Sequence, residues 1–495
     1  MGLVGFDNDK YLEMQSQHIH ERIAKFGGKL YLEFGGKLFD DFHACRVLPG
    51  FAPNTKIELL EELKDKTEII FCINAADIER NKIRADFGIS YAMDVLRVID
   101  NIRARGLYIS AILITRYIGQ HNATVFKNQL KQRGERVFIH RPIEGYPANV
   151  EFIVSDEGYG KNPFIETTRP LVVVTAPGPG SGKMATCLNQ LYHEYKQGHR
   201  VGYAKFETFP VWNLPLNHPV NLSYEAATAD LDDMNMIDPF HLEAYGKTTV
   251  NYNRDIEIFP VLQHIFEKIT GNKSPYKSPT DMGVNMVAYA ITDDEITRDA
   301  ARQEIIRRYY RAKCDYKQGR EPENVLNRIE LIMNQAGVST GDRDVVKAAT
   351  DRSIKLSRPV TAIKLRDGSI VTGKNTELMT SGATAILNSI KKIAGIGDEE
   401  YLISPTILEP IKKLKYDAFG SLSGRLSIEE ILIALSICAT TNDTAAAALE
   451  RLSDLSGCEA HSTCIMTPND EAMFSKLRLN LTCDAEFPSK QLYYV

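Results

Sequence analysis

No apolar run in this sequence approaches the roughly 20 residues that a bilayer-spanning helix needs. Leu107 to Ile114 and Ile431 to Ala439 read instead as buried strands or helices, and a membrane partner is not expected. The opening residues MGLVGFDNDKYLEMQ carry no cationic segment, no long apolar stretch and no small-residue cleavage site, and Phe6 stands where a myristoylation signal needs Ser or Thr. A cytoplasmic protein is the expectation. An excess of one charge is also missing. Against 59 Lys and Arg stand 64 Asp and Glu, a net −5 over 495 residues, and the basic residues are scattered, so no nucleic-acid partner is expected. The eight cysteines are spread too thinly for a disulfide scaffold, and Cys72 and Cys438 lie inside apolar runs, as reduced, buried thiols do. There is no internal repeat and no low-complexity segment, and 43% hydrophobic against 25% charged residues excludes a disordered chain.

The length is about three times that of one hydrophobic core, so about two to four packed units are expected. Short apolar runs at Lys29 to Phe34, Glu68 to Ile73, Ser110 to Thr115, Arg136 to His140, Leu171 to Thr175 and Val201 to Phe206 alternate with helix-like stretches. Continuous apolar character fits strands covered on both faces, and the intervening segments are long enough for crossover helices. A parallel sheet in a Rossmann-like or P-loop-like domain over 1–245 follows. Asn81 to Arg105 reads as one such helix, with Ile83, Phe87, Ile89, Met93, Leu96 and Ile99 at helical spacings. Residues 246–335, with Ile256 to Thr270 and the charged run Thr292 to Tyr316, predict a helical domain. Over 336–495 the pattern turns mixed. Thr361 to Leu365, the Asp367-Gly368 turn and Ser369 to Thr372 predict a hairpin, Ser427 with Glu430 a capping box, and Asn442 or Asp443 a cap for the alanine-rich helix before Gly457. The fold class is α/β and multi-domain.

The segment LVVVTAPGPGSGKMATCLNQLYHEYKQGHRVGYAKFET, residues 171 to 208, reads as strand, turn, helix and strand. Gly178, Gly180 and Gly182, with Ser181 between the last two, let the backbone turn tightly and present bare N–H groups. The helix that follows aims its positive end at the same spot, so an anion is stabilised there. Lys183 adds an ammonium for phosphate oxygens. Measured against GxxxxGK[S/T], Pro177 replaces the first glycine and Met184 replaces the hydroxyl that holds Mg²⁺; Thr186, on the next helical turn, is the substitute if the loop is displaced from its usual geometry. An ordinary strand-to-helix turn is the alternative.

The loop, the helix and GHRVGYAKFETFP, in that order, resemble the opening of dethiobiotin synthetase and related P-loop ligases. The resemblance implies that Lys205 on the next strand faces a transferred phosphate. It also implies that Asp230, Asp232 and Asp233 include a metal ligand, with Glu207 secondary, and that ATP with Mg²⁺ is the cofactor. On this reading Lys183, Lys205, the loop amides and a cation neutralise charge as a phosphoryl group moves to a substrate oxygen. A solvated acidic loop or a helix N-terminus is the alternative for those carboxylates. HPVNLSYEAATADLDDMNMIDPFHLEAYG at 218 to 246, VNYNRDIEIFPVL at 250 to 262, SPYKSPTDMGVNM at 274 to 286 and EAHSTCIM at 459 to 466, together with the loop, resemble the bacterial family of domain of unknown function 1846 nearly end to end. That resemblance implies an architecture and a bacterial, cytosolic setting, and brings no reaction with it. Asn251, Asn253, Arg254, Asp255, Tyr276, Lys277, Thr280 and Asp281 mix donors, acceptors and charges beside prolines, a composition suited to gripping a small polar metabolite. Exposed loops with local turn bonds are the alternative.

Residues 362 to 396 resemble the hairpin-and-helix opening of the cytidine-deaminase fold. They lack the His or Cys two residues before a Glu, and no PCxxC follows, so deamination is not expected. Cys458, His461, Cys464 and Cys483 match no zinc-finger spacing; zinc is not expected, and core thiols with a structural histidine are the reading. The function expected is binding of a nucleotide or phosphorylated metabolite, with transfer of phosphate to, or activation of, a small polar metabolite. One alternative is a non-catalytic nucleotide or metabolite sensor, favoured by Met184. The other is an ATP-independent enzyme acting on a phosphorylated substrate. A homo-oligomer is expected.

Overall fold

A computed structural model describes residues 4–84, 88–421 and 423–489. The chain forms two compact units that divide between Ala301 and Arg302, so the helical stretch 246–335 contributes to both. No helix among the described residues is long and apolar enough to cross a membrane. All eight cysteines are free thiols.

The first unit is built on seven parallel strands: β1 (Leu30–Phe34), β2 (Thr67–Asn74), β3 (Tyr108–Thr115), β4 (Val137–Ile139), β5 (Leu171–Thr175), β6 (Gly202–Phe206) and β7 (Gly283–Val284). Their order across the sheet is β7-β6-β1-β5-β2-β3-β4. Each of the six apolar runs anticipated as a strand pairs in this sheet. Every residue of β1, β2 and β5 is buried, as continuous apolar runs require when helices cover both faces.

One helix starts later than its periodicity suggested. Residues 83–84 and 89–90 form a short antiparallel ribbon, and α1 spans only Tyr91–Ala104. Gly88 at φ 66° turns the chain, and the Ser90 side chain accepts from Met93 N (3.3 Å) as N-cap, so Ile83 and Ile89 precede the helix. Phe87, and the first three residues of the N-terminal segment, lie outside the described residues.

The strand order places a site. The connection from β1 to β2 passes across β5, and the connection from β5 to β6 passes back across β1. Right-handed crossovers running in opposite directions lie on opposite faces of the sheet. After β1 and β2 the chain forms Thr55–Glu62 and α1 on one face, joined where Arg105 donates to Glu61 (3.0 Å). After β5 it forms α2 (Lys183–Lys196) on the other, packed against α3 (Asn253–Thr270). The carboxyl ends of β1 and β5 therefore flank a topological switch point, where open α/β sheets bind ligands.

The second unit carries a four-stranded sheet of β8 (Val360–Lys364), β9 (Ile370–Lys374), β10 (Glu459–Ser462) and β11 (Asn480–Cys483), ordered β9-β8-β10-β11 with only the last pair parallel. The hairpin falls at Asp367-Gly368, the Ser427–Glu430 capping box forms in both directions, and Asn442 caps Asp443–Glu450. A fully buried Arg343 ties the last two strands, donating to Ala460 O (3.2 Å), Asn480 O (2.8 Å) and Thr482 Oγ1 (3.1 Å) and pairing with Glu459.

Candidate functional site

The glycine-rich turn leaves β5 at Ala176 and enters α2 at Lys183. Its carbonyls are held from within. Asn74 Nδ2 donates to Gly180 O (3.3 Å), Thr115 Oγ1 to Ser181 O (2.8 Å), Ser181 Oγ to Gly178 O (2.9 Å) and Thr186 Oγ1 to Gly182 O (2.9 Å). Asn74 and Thr115 are the last residues of β2 and β3, so the edge of the sheet fixes the turn. No acceptor among the described residues takes the backbone N–H of Gly180, Ser181, Gly182 or Lys183. Gly182 is the helix N-cap in the left-handed region (φ 86°), and a Cβ there would lie 3.2 Å from Thr115; a Cβ on Gly178 would lie 2.6 Å from Tyr91 Oη. The arrangement is a nest of amides at a helix N-terminus, with Lys183 half-exposed beside it.

A buried charge cluster lies on the same face of the sheet. Tyr31 Oη donates to Glu194 on α2 (2.7 Å), so β1 residues of its parity, Glu33 included, face α2. Lys205 is the register partner of Glu33 and faces the same way. Its ammonium lies 2.6 Å from Glu207 Oε1 and also pairs with Asp255 in the first turn of α3, while Glu33 accepts from Tyr203 Oη (2.6 Å). Burial acts to lower the Lys205 pKa, but Asp255, Glu207 and Glu33 outweigh it and hold the lysine charged far above its usual range. Burial pushes Glu207 up to about 7, against the pull of Lys205, with Asp255 adding to the rise. A carboxyl that titrates near neutrality in a cleft is suited to proton transfer. Between the ends of β1 and β5, on the opposite face, a small pocket is lined by Lys37, Phe39, Phe71, Arg97 and Pro177, among others.

Sequence comparison decides the family. The family model described as domain of unknown function DUF1846, N-terminal, matches residues 4–337, and its C-terminal counterpart matches residues 341–493. The chain belongs to the DUF1846 family. Among similar relatives, a UPF0371 protein of Clostridium tetani (strain Massachusetts / E88) is 58% identical over 99% of both chains. A UPF0371 protein of Clostridium botulinum (strain Alaska E43 / Type E3) is 56% identical over 99% of both. The solved Structure of the Aeropyrum Pernix ORC2 protein (ADP form) aligns over 86% of this chain and 84% of that one at 10% identity with a TM-score of 0.16, too low to carry an argument. The comparisons bring no support to the ligase resemblance.

In the DUF1846 chain the other anticipated residues separate. Thr186 turns away from the loop opening: its hydroxyl is buried, bonded to Gly182 O and accepting from Cys72 Sγ (3.5 Å). Asp230 and Asp232 are exposed on a short 3₁₀ turn, Asp233 pairs with Arg254 (3.0 Å), and Asn253 Oδ1 accepts from Met234 N (2.9 Å), so Asn253 and Arg254 brace the acidic loop. Among the described residues no group of three His, Cys, Asp or Glu side chains could hold a metal ion, and this includes the Cys458, His461, Cys464 and Cys483 region. His461 is buried with Nδ1 2.9 Å from Thr482 Oγ1. Tyr276 Oη is bonded to the Tyr203 backbone, Thr280 donates to Asp238 (2.7 Å), Asp281 accepts from Tyr245 (2.8 Å), and the exposed Lys277 lies over the Tyr245 ring (5.5 Å). Of that group, Asp255 alone joins Lys205. Glu33 escaped the sequence reading, although a charge inside the buried run Leu30–Phe34 was its signal. So did the second glycine-lysine turn, Gly35 to Lys37, which ends β1 at the switch point.

Proposed function

We propose that the DUF1846 chain is an enzyme that holds a phosphorylated small metabolite by its phosphate at Gly178 to Lys183 and acts on the other end beside Lys205. The observation that carries the reading is the row of partnerless loop amides, backed by carbonyls tied to β2 and β3. Preformed N–H groups at a helix N-terminus favour an anion, and Lys183 supplies a counter-charge. The loop fits a phosphate and does not fit the hydroxyl arm of a Mg²⁺–ATP site, since Thr186 is engaged in the core and Met184 has no oxygen. This favours a phosphorylated substrate that needs no ATP. Lys205, held charged on the same face, stabilises negative charge that develops at the reacting end, and Glu207 moves a proton there.

A second reading, ATP-dependent phosphoryl transfer, draws on that same shared face of Lys183 and Lys205. Thermal unfolding with inorganic phosphate, phosphorylated metabolites, and ATP with and without Mg²⁺ separates the two. A ligand at a hundred times its Kd adds about 2.7 kcal/mol. The proposal expects phosphorylated metabolites to stabilise wild type and not Lys183→Ala, with Mg²⁺ making no difference. Stabilisation by ATP with Mg²⁺ alone transfers the conclusion to the second reading. Equal behaviour of wild type and Lys183→Ala across the panel refutes both.

A further inference from the structure

The composition at the far end of this site names a class of substrate, an inference that rests on the phosphate clamp proposed above. Two strand spacings, about 10 Å, separate β5 from β6. A short carbon chain therefore reaches from the loop amides to Lys205. There one ammonium meets three carboxylates: Glu207 and Asp255 against Lys205, and Glu33 beside it in register. Tyr252, the residue before α3, closes the group. It is 6% exposed, its hydroxyl makes no hydrogen bond of normal geometry among the described residues, with the Tyr224 hydroxyl only loosely placed against it, and Glu207, Asp233 and Asp255 are its acidic neighbours.

Buried hydroxyls without partners are rare in folded proteins, and a site that leaves one facing carboxylates is incomplete without a polar guest. A group that completes it must donate to carboxylate oxygens and also accept from Tyr252 and Lys205. A hydroxyl does both. An ammonium only donates, and it would stand beside Lys205 in a low-dielectric setting. A carboxylate only accepts, and it would meet three groups of its own sign.

We propose that Lys205, Glu207, Asp255 and Tyr252 form a hydroxyl-binding subsite, and that the substrate is a polyol phosphate whose phosphate sits at Gly178 to Lys183. Hydroxyls on its carbon chain donate to Asp255 and Glu207, and one accepts from Tyr252. Recognition of a hydroxyl by buried polar groups discriminates strongly against analogues that lack it.

Calorimetric titration of the full-length protein with sorbitol phosphate, glycerol phosphate, ethanolamine phosphate and methyl phosphate tests this. Wild type is expected to bind sorbitol phosphate at least about tenfold more tightly than methyl phosphate, the effect of roughly one charged hydrogen bond. Tyr252→Phe and Asp255→Asn bring the two affinities together and leave methyl phosphate binding unchanged. Tyr252→Phe removes a hydroxyl whose side-chain contact among the described residues is the Tyr224 hydroxyl and keeps the ring in place, so it keeps the test valid if Asp255→Asn misfolds. Equal affinity of wild type for sorbitol and methyl phosphates, or tighter binding of ethanolamine phosphate than glycerol phosphate, overturns the subsite. In that event, loss of methyl phosphate binding in Lys183→Ala shows that the clamp itself stands. Failure of all four phosphates to bind wild type overturns the clamp and the subsite together.

Discussion

Replacing Lys205 by Met removes the cation bonded to a buried group of acids while nearly preserving the volume of the side chain. The Lys205 side chain is 19% exposed, and its partners Glu207 and Asp255 are 7% and 12% exposed. Taking one partner from such a pair leaves buried charge uncompensated and costs about 3–5 kcal/mol. For a unit of this size each kcal/mol moves the midpoint by about 2 °C, so a fall of about 6–10 °C in the Tm of the first unit is expected by calorimetry. Adding Asp255→Asn removes one of the stranded acids. The double variant should recover at least about 1 kcal/mol relative to the sum of the single effects, because the residues are in contact. The pH dependence has a definite sign. Without Lys205 the pull that opposes the burial of Glu207 is lost, so its already raised folded-state pKa moves further up and the folded variant binds more protons than its unfolded chain. Its stability relative to wild type therefore rises as pH falls from about 7 to about 5. A midpoint within about 1 °C of wild type, or strict additivity with Asp255→Asn, would refute the description of these residues as one buried ionic group.

Other expectations follow from single sites. Gly182→Ala places a side chain at φ 86°, with its Cβ 3.2 Å from Thr115; thermal unfolding should show a loss of about 1–2 kcal/mol, and an unchanged midpoint would contradict the left-handed cap. Arg343→Met, at a side chain 1% exposed, takes one of its two arginines from Glu459, which keeps Arg307, and removes the bonds to Ala460 O, Asn480 O and Thr482 Oγ1. Denaturant unfolding should show the second unit losing about 2–4 kcal/mol from the lost buried hydrogen bonds, and a loss below about 1 kcal/mol would contradict the clamp. In wild type the folded pKa of Glu207 is raised to about 7. The stability tied to this proton is fully present below the unfolded pKa, about 4.3, and disappears as pH rises through the folded value. Glu207→Gln should flatten the stability profile between about pH 5 and about pH 8, and an unaltered slope would assign the titration to another group.

The parallel sheet was legible because strands buried on both faces have no polar face to interrupt them. The runs from Lys29 to Phe206 are of this kind except the half-buried edge strand β4, whereas β7, only Gly283–Val284, offers too short a run to register. The helix expected from Asn81 begins only at Tyr91 for a local reason: the turn at Gly88 and the cap at Ser90 overrode an apolar spacing that happened to extend upstream. At the site, glycines that need positive φ announced the loop. Composition could not distinguish polar groups that face a ligand from those that hold the fold together. Tyr276 and Thr280 are as polar as Asp255, yet their bonds go to Tyr203 and Asp238. Glu33 and Tyr252 become meaningful only once strand register and the packing of α3 bring them to Lys205.

Thr186 illustrates how far the neighbourhood, rather than the residue type, decides the chemistry. Its hydroxyl was the candidate for the Mg²⁺ position because it follows Lys183 by one helical turn. That same spacing sets it over the preceding turn of α2, where its nearest acceptor is the Gly182 carbonyl. Bonded there, the hydroxyl neutralises one of the few oxygens that could repel an anion entering the loop, as Thr115 and Asn74 do for Ser181 and Gly180. With the carbonyls of Gly178, Gly180, Ser181 and Gly182 engaged, the amides of 180 to 183 have no acceptor among the described residues and Lys183 stands half-exposed beside them, so the loop selects for negative charge in part by what these oxygens are prevented from doing.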